Sequence, residues 1–145
     1  MTRIDFYVLG EQARGDRHLL ACRLADKIYR QGRRIYIHTA SDEEARHLDR
    51  LLWTFRQGSF IPHGRSREAD PSTTPVLIGW EGDSGDENDV LINLVPTPEA
   101  PPFFSRFERV AEPVDLDPQV RQAARSRYGF YRDRGYPLES HNIEK

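Results

Sequence analysis

The chain is predicted to fold as an α/β domain around a mostly parallel central sheet. Strand-like and helix-like segments alternate from the first residues, which is the pattern of parallel strands joined by helical crossovers. Two later segments, residues 76–80 and 90–95, are almost continuously apolar, as strands buried on both faces of a sheet are. At 145 residues, with 37% apolar and 30% charged side chains, the chain is expected to form one domain (residues 1–145), polar outside and large enough for a real core.

Taken in order, Arg3-Ile-Asp-Phe-Tyr-Val-Leu9 alternates and is rich in strand formers, and Gly10 closes it. From Asp16 to Gln31, Leu19, Leu20, Leu24, Ile28 and Tyr29 recur at helical spacing, and Gly32 ends that helix. Arg34-Ile-Tyr-Ile-His38 reads as a second strand. Ser41 and Glu44 form a capping box for a helix whose apolar face (Ala45, Leu48, Leu51, Leu52) runs to Trp53. Phe60 to His63 is a short extended piece, and residues 64–74 form a polar loop. The two apolar strands follow, separated by an acidic loop over residues 82–89. Pro96 to Pro102 is a proline-dense connector, Phe103 to Phe107 a short helix, and Arg109 to Val114 an edge strand.

The last helix has the clearest punctuation. Asp117 is a short acceptor at the N-cap, Pro118 at the first helical position lacks only an N–H that would have no partner there, and Gly135 is a natural stop. At roughly 100° per residue, Arg121, Arg125, Tyr128 and Arg132 share one stripe, while Val120, Ala123, Ala124, Phe130 and Tyr131 turn inward. Such a stripe is either a solvated helix face or a site for an anionic partner with an apolar group to bury. Both readings stand at this point.

Charge bounds the partners. The formal net charge is −2, so the whole chain carries no electrostatic footprint for nucleic acid, although Leu116 to Tyr136 holds five arginines against two aspartates. Anion binding is therefore expected to be local. No apolar run approaches the ~18–20 residues that cross a bilayer, and Met-Thr-Arg-Ile-Asp-Phe lacks the apolar stretch of a signal peptide. A cytoplasmic protein without membrane contact is expected, with the single cysteine, Cys22, buried in the first helix.

No catalytic constellation emerges. The turn from Gly10 to Arg17 has the two-glycine spacing of a phosphate loop, but Asp16 stands where the lysine is needed and Arg17 where the hydroxyl is needed. The five histidines, His18, His38, His47, His63 and His141, are scattered, and no pair has metal-ligand spacing. His63 is expected to make structural hydrogen bonds. Neither a cofactor nor a metal is expected, and the chain reads as a non-enzyme.

Four blocks together resemble the chi-subunit family of bacterial DNA polymerase III, a clamp-loader accessory protein. They are Asp5-Phe6-Tyr7; Leu48-Asp49-x-x-Leu52-Trp53 with Ser59-Phe60-Ile61-Pro62-His63; Asp89-Val90-Leu91-Ile92-Asn93-Leu94; and Arg125-x-Arg127-Tyr128-x-x-Tyr131-Arg132. The resemblance runs over essentially the whole chain. It implies a Rossmann-like three-layer fold with no nucleotide site and a non-catalytic adaptor with two binding surfaces.

One surface would hold the acidic C-terminal tail of single-stranded DNA-binding protein (SSB), which ends in Asp-Phe with a free carboxylate. The matching residues are Val114, Arg121, Arg125 and Tyr128. Gly129 stands where the family can place a further lysine, and Arg132, one turn on, is the residue that would compensate. The second surface would dock the psi subunit, or another partner such as an accessory helicase, through Trp53, Phe60 and Pro62. From the residues alone Trp53 and Phe60 fit a core as well as a surface. Nucleic acid contact would be mainly indirect. The alternative is a degenerate helicase-like domain that binds single-stranded DNA directly through the Arg/Tyr helix.

Overall fold

The computed structural model describes residues 1–144. The elements are β1 (Arg3–Leu9), α1 (Arg17–Arg30), β2 (Ile35–Thr39), α2 (Asp42–Thr54), β3 (His63–Arg65), β4 (Val76–Trp80), β5 (Val90–Asn93), a 3-10 turn (Phe104–Arg106), β6 (Arg109–Val114), α3 (Pro118–Asp133) and β7 (Leu138–Ile143). They build one seven-stranded sheet in the order β3-β4-β2-β5-β6-β1-β7. Every pairing is parallel.

Two apolar layers follow from the period-2 alternation of strand side chains. Ile35, Ile37, Val76, Ile78, Val90, Ile92 and Ala111 point to one face and pack against α1 and α2. Their neighbours Tyr36, Leu77, Leu91 and Val110 point to the other and pack against α3 and the 3-10 turn through Val120, Ala124, Tyr131, Phe104 and Phe107. The fold is therefore a three-layer α/β sandwich. The connection through α1 and the connection through α3 cross the sheet in opposite directions on opposite faces, which gives both the same hand.

Local signals account for the helix starts. The Asp16 carboxylate accepts from His18 N and Leu19 N at 3.0 Å each, Ser41 Oγ accepts from Glu44 N at 3.1 Å, and Asp117 accepts from Gln119 N at 2.9 Å. The Glu44 carboxylate reaches back one residue past the cap expected of a capping box and accepts from Ala40 N at 2.8 Å. Cys22 is fully buried, and burial pushes its thiol up to about 12.

One expectation is corrected, and one strand is added. Residues 109–114 were expected at the sheet edge, but β6 lies between β5 and β1 and is almost wholly buried. The edge on that side is β7, which pairs with β1 and was not anticipated; β3 forms the other edge. Its sequence, Leu-Glu-Ser-His-Asn-Ile, is polar because one side of an edge strand meets solvent, so apolar periodicity could not reveal it. Of the last five residues, Lys145 lies outside the described residues.

Candidate functional site

β1 and β6 end side by side, and their connections leave on opposite faces; crevices at the carboxyl ends of strands are where α/β sheets bind ligands. On the α3 side a cleft of about 150 Å³ opens here, lined by Phe6, Val8, Val114, Ala124 and Tyr128 with Arg121, Arg125 and Ser140 at its polar margin. Tyr128 lies against Phe6 with ring centroids 5.3 Å apart, forming an aromatic wall. The cleft thus brings together four of the residues expected from sequence: Val114, Arg121, Arg125 and Tyr128. Phe6 and Ser140 join them. Ser140 had no sequence signal because it arrives on β7.

The two arginines are not equivalent. Arg121 Nε donates to the Asp115 carbonyl at 3.0 Å and its Nη2 to the Leu9 carbonyl at 2.8 Å. It clips the end of β6 to the end of β1 and retains only part of its fork. Arg125 is exposed at the mouth, and no hydrogen bond or ion pair among the described residues occupies its guanidinium. A guanidinium of this kind can receive a carboxylate in a bidentate fork. Arg132 does not line the cleft; it is exposed and sits 3.2 Å from Asp133, which partly neutralises it.

The opposite face of α3 holds what the helical wheel did not separate. Arg127 is 2% exposed and pairs with Glu112, which is 0% exposed, at 3.1 Å. The Glu112 carboxylate also accepts from Asn93 Nδ2 at 3.2 Å and from the Tyr131 hydroxyl at 3.0 Å. Burial, reinforced by the adjacent carboxylate, drives the Tyr131 hydroxyl far above its ordinary range, so it remains a donor.

A second exposed surface lies at the far end of α2. Trp53 is 60% and Phe60 81% exposed, and with Pro62 they surround a shallow apolar hollow floored by buried Ile61. Of the short extended piece expected from Phe60 to His63, only His63 belongs to a strand, β3. The His63 ring is the shelf beneath Trp53, 4.6 Å away by ring centroids. One of its nitrogens lies 2.7 Å from the Ile61 carbonyl and the other 3.0 Å from the Asp49 carbonyl, which ties the loop to α2 and holds both aromatics outward. Large apolar side chains this exposed, one on the last turn of α2 and one on the loop after it, form an apolar patch of the kind that interaction sites use.

The first turn after β1 is chemically occupied. The backbone N–H groups of His18 and Leu19 are taken by Asp16, and that of Arg17 by Asp115 at 3.0 Å. Carboxylates therefore hold the donors a phosphate would use at the start of α1. Among the described residues one group of ligand-type side chains converges, Asp5, Glu139 and His141. Its centre, Asp5, already accepts from Arg109 Nε and His141 at 3.0 Å each and lies 3.1 Å from Arg3. Burial pushes the Asp5 carboxyl up, but these partners outweigh it and hold the group below its ordinary range. Two guanidinium groups at that distance repel an added cation.

Fold and surfaces define a class: a doubly wound parallel α/β domain whose open features are an arginine-rimmed apolar cleft and an exposed aromatic patch. The family profile described as "DNA polymerase III chi subunit, HolC" matches residues 1–139. The chain belongs to the DNA polymerase III chi-subunit family. A DNA polymerase III subunit chi from Pseudomonas aeruginosa is 45% identical over 145 residues, spanning 100% of this chain and 99% of its own. The subunit chi of Haemophilus influenzae is 34% identical over 140 residues, with 96% of each chain covered. That of Escherichia coli is 30% identical over 145 residues, with 97% of each covered.

Proposed function

We propose that this chi-family protein is a non-catalytic clamp-loader adaptor that joins SSB to the psi subunit. The α3 cleft takes the SSB tail and the Trp53–Phe60–Pro62 patch takes psi. The observation that carries the reading is a guanidinium, Arg125, unpaired among the described residues, at the mouth of an apolar cleft walled by Tyr128, Phe6 and Val114. A peptide ending in phenylalanine offers the complementary pair of groups within one residue: a ring for the slot and a terminal carboxylate for the fork. Arg121, already clipped to two carbonyls, adds a fixed positive field for the upstream acidic residues. Tethering of this kind raises local concentration at SSB-coated single strands without chemistry of its own.

Fluorescence anisotropy with a labelled acidic peptide ending in Asp-Phe tests the cleft. Saturable binding is expected, weakened about tenfold or more by Arg125→Ala, since hydrogen bonds to charged groups contribute about 1.5–3 kcal/mol. A peptide lacking the final phenylalanine should lose binding comparably. Equal binding by that shorter peptide would sink the assignment.

Gly129 gives a gain-of-function check. A Cβ placed there meets only Arg132 Nη2, at 3.7 Å, so a side chain fits. Gly129→Lys is expected to stabilise α3 by about 1 kcal/mol through helix propensity and to tighten tail binding at low salt. Both effects are read from a thermal melt and the same titration.

For the second surface, Trp53→Ala is expected to cost about 2 kcal/mol or more of psi binding, as central aromatic anchors do. Its melting temperature should hardly move, because the ring is exposed. Isothermal titration with psi measures this, and unaltered affinity would remove Trp53 from the interface.

A further inference from the structure

The cleft exists at one setting of α3 only. With roughly 100° between successive residues, a slip of one position would carry Arg125 and Tyr128 off the β1–β7 side. Yet in its first half α3 meets the sheet through Val120 and Ala124, small side chains with little relief. Apolar burial is also non-directional. This stretch sets the depth of the helix better than its rotation.

Apart from Arg121, which ties the first turn of α3 to the Asp115 and Leu9 carbonyls, the side-chain hydrogen bonds from α3 to the sheet meet on one carboxylate. Glu112 on β6 accepts from Arg127 Nε at 3.2 Å on both oxygens and from the Tyr131 hydroxyl at 3.0 Å. Arg127 and Tyr131 stand one helical turn apart, so a single carboxylate pins α3 at two points along its axis. Asn93 on β5 holds the carboxylate from the sheet side. Arg127 Nη1 donates to the Thr97 carbonyl, which fastens the proline-dense connector to the same helix. An ion pair this deep is not explained by stability, because apolar side chains of similar volume generally serve as well or better. What a directional pair adds to such packing is geometry: it is satisfied at one rotation of the helix.

We propose that Glu112, Arg127, Tyr131 and Asn93 are positioning residues for the cleft: they touch no ligand and fix the rotation of α3 that places Arg125 and Tyr128 against Phe6 and β7. The functional readout rests on the tail-binding reading above, but the register is measurable without it.

The test uses the full chain. A Glu112→Leu/Arg127→Met double variant replaces the ion pair with apolar volume, and Tyr131→Phe deletes one hydroxyl while keeping the ring. Three quantities are read: melting temperature, NMR cross-peaks between the Phe6 and Tyr128 rings, and anisotropy with the Asp-Phe peptide. The double variant is expected to melt below the wild type but well above Arg127→Ala, because no charge is left uncompensated, and to lose the ring cross-peaks. Its peptide binding should weaken about tenfold, within the range by which residues remote from a ligand alter its affinity. Tyr131→Phe should weaken binding about two- to threefold, with attenuated cross-peaks. Intact cross-peaks and unchanged binding in a folded double variant overturn the proposal. If the double variant does not fold, Tyr131→Phe decides by the same two criteria. If the wild type does not bind the peptide, the tail-binding reading falls, and the cross-peaks alone decide the positioning role: retained in the variants, they overturn it; lost, they support it.

Discussion

Arg127→Ala is expected to lower the unfolding free energy by about 3–5 kcal/mol, the scale for breaking a buried ion pair on one side only. The reason is asymmetric. Arg127 and Glu112 are 2% and 0% exposed, so truncating the arginine leaves a carboxylate in the core with only the Asn93 amide and the Tyr131 hydroxyl as donors. It also leaves the Thr97 carbonyl without its guanidinium donor. Against a total stability of about 5–15 kcal/mol for a domain of ordinary stability, that is a large fraction. In a chain of this length it corresponds to a melting temperature lower by roughly 10–15 °C. A urea titration and a thermal melt check it, and a loss under about 1 kcal/mol would mean that the pair is hydrated or exchangeable. Removing both charges together, as in the apolar double variant, should cost far less, and the contrast between single and double replacement isolates the uncompensated charge.

The second large effect is on acid stability. His38 is buried at the end of β2, with Tyr36 3.4 Å from its Nδ1 and the Phe103 ring edge-on at 5.0 Å. Burial lowers its ionisation to about 4 from 6.5, and the Asp83 and Glu44 carboxylates oppose this only in part. The sign follows from proton linkage. Between pH 6.5 and about 4 the unfolded chain takes up a proton that the folded chain refuses. Stability from this group is therefore complete above pH 6.5 and declines as the pH falls. Between pH 7 and pH 4.5 the expected loss is about 2 kcal/mol. The carboxylates of Asp5, Asp16, Glu44 and Asp89 titrate in a different window. Burial raises each, but hydrogen bonds and cationic neighbours win and hold all four below their ordinary values. What they contribute is present above about pH 4.5 and is lost only as the pH falls further. Urea unfolding at pH 7 and pH 4.5 is the measurement, and His38→Leu should flatten the difference. A wild type equally stable at both values would mean that His38 is hydrated in the fold.

Several features were legible without coordinates because they are written in short-range periodicity. The caps Asp16, Ser41 and Asp117 depend on a side chain reaching its own helix two or three residues on. The stripe of Arg121, Arg125, Tyr128 and Arg132 depends on helical rotation alone; the first three line one cleft and Arg132 does not. The doubly buried strands announced themselves by unbroken apolar runs. Trp53 and Phe60 were ambiguous for the opposite reason: an aromatic residue suits a core and an interface equally, and only the turn held by His63 shows that both rings face outward.

Alternation, punctuation and helical rotation thus determined by themselves an α/β chain, its parallel strands and the helix face on which the arginines fall, since each rests on neighbours a few residues apart. The tertiary structure alone decided the rest. It placed β6 inside the sheet, brought β7 to its edge with Ser140 beside the cleft, tied Arg121 to the carbonyls of Leu9 and Asp115, and buried Arg127 on Glu112. Each of those outcomes joins segments distant in the chain. An arginine reads the same in sequence whether it meets water, a ligand or a buried carboxylate, and only the chain's closure in space distinguishes them.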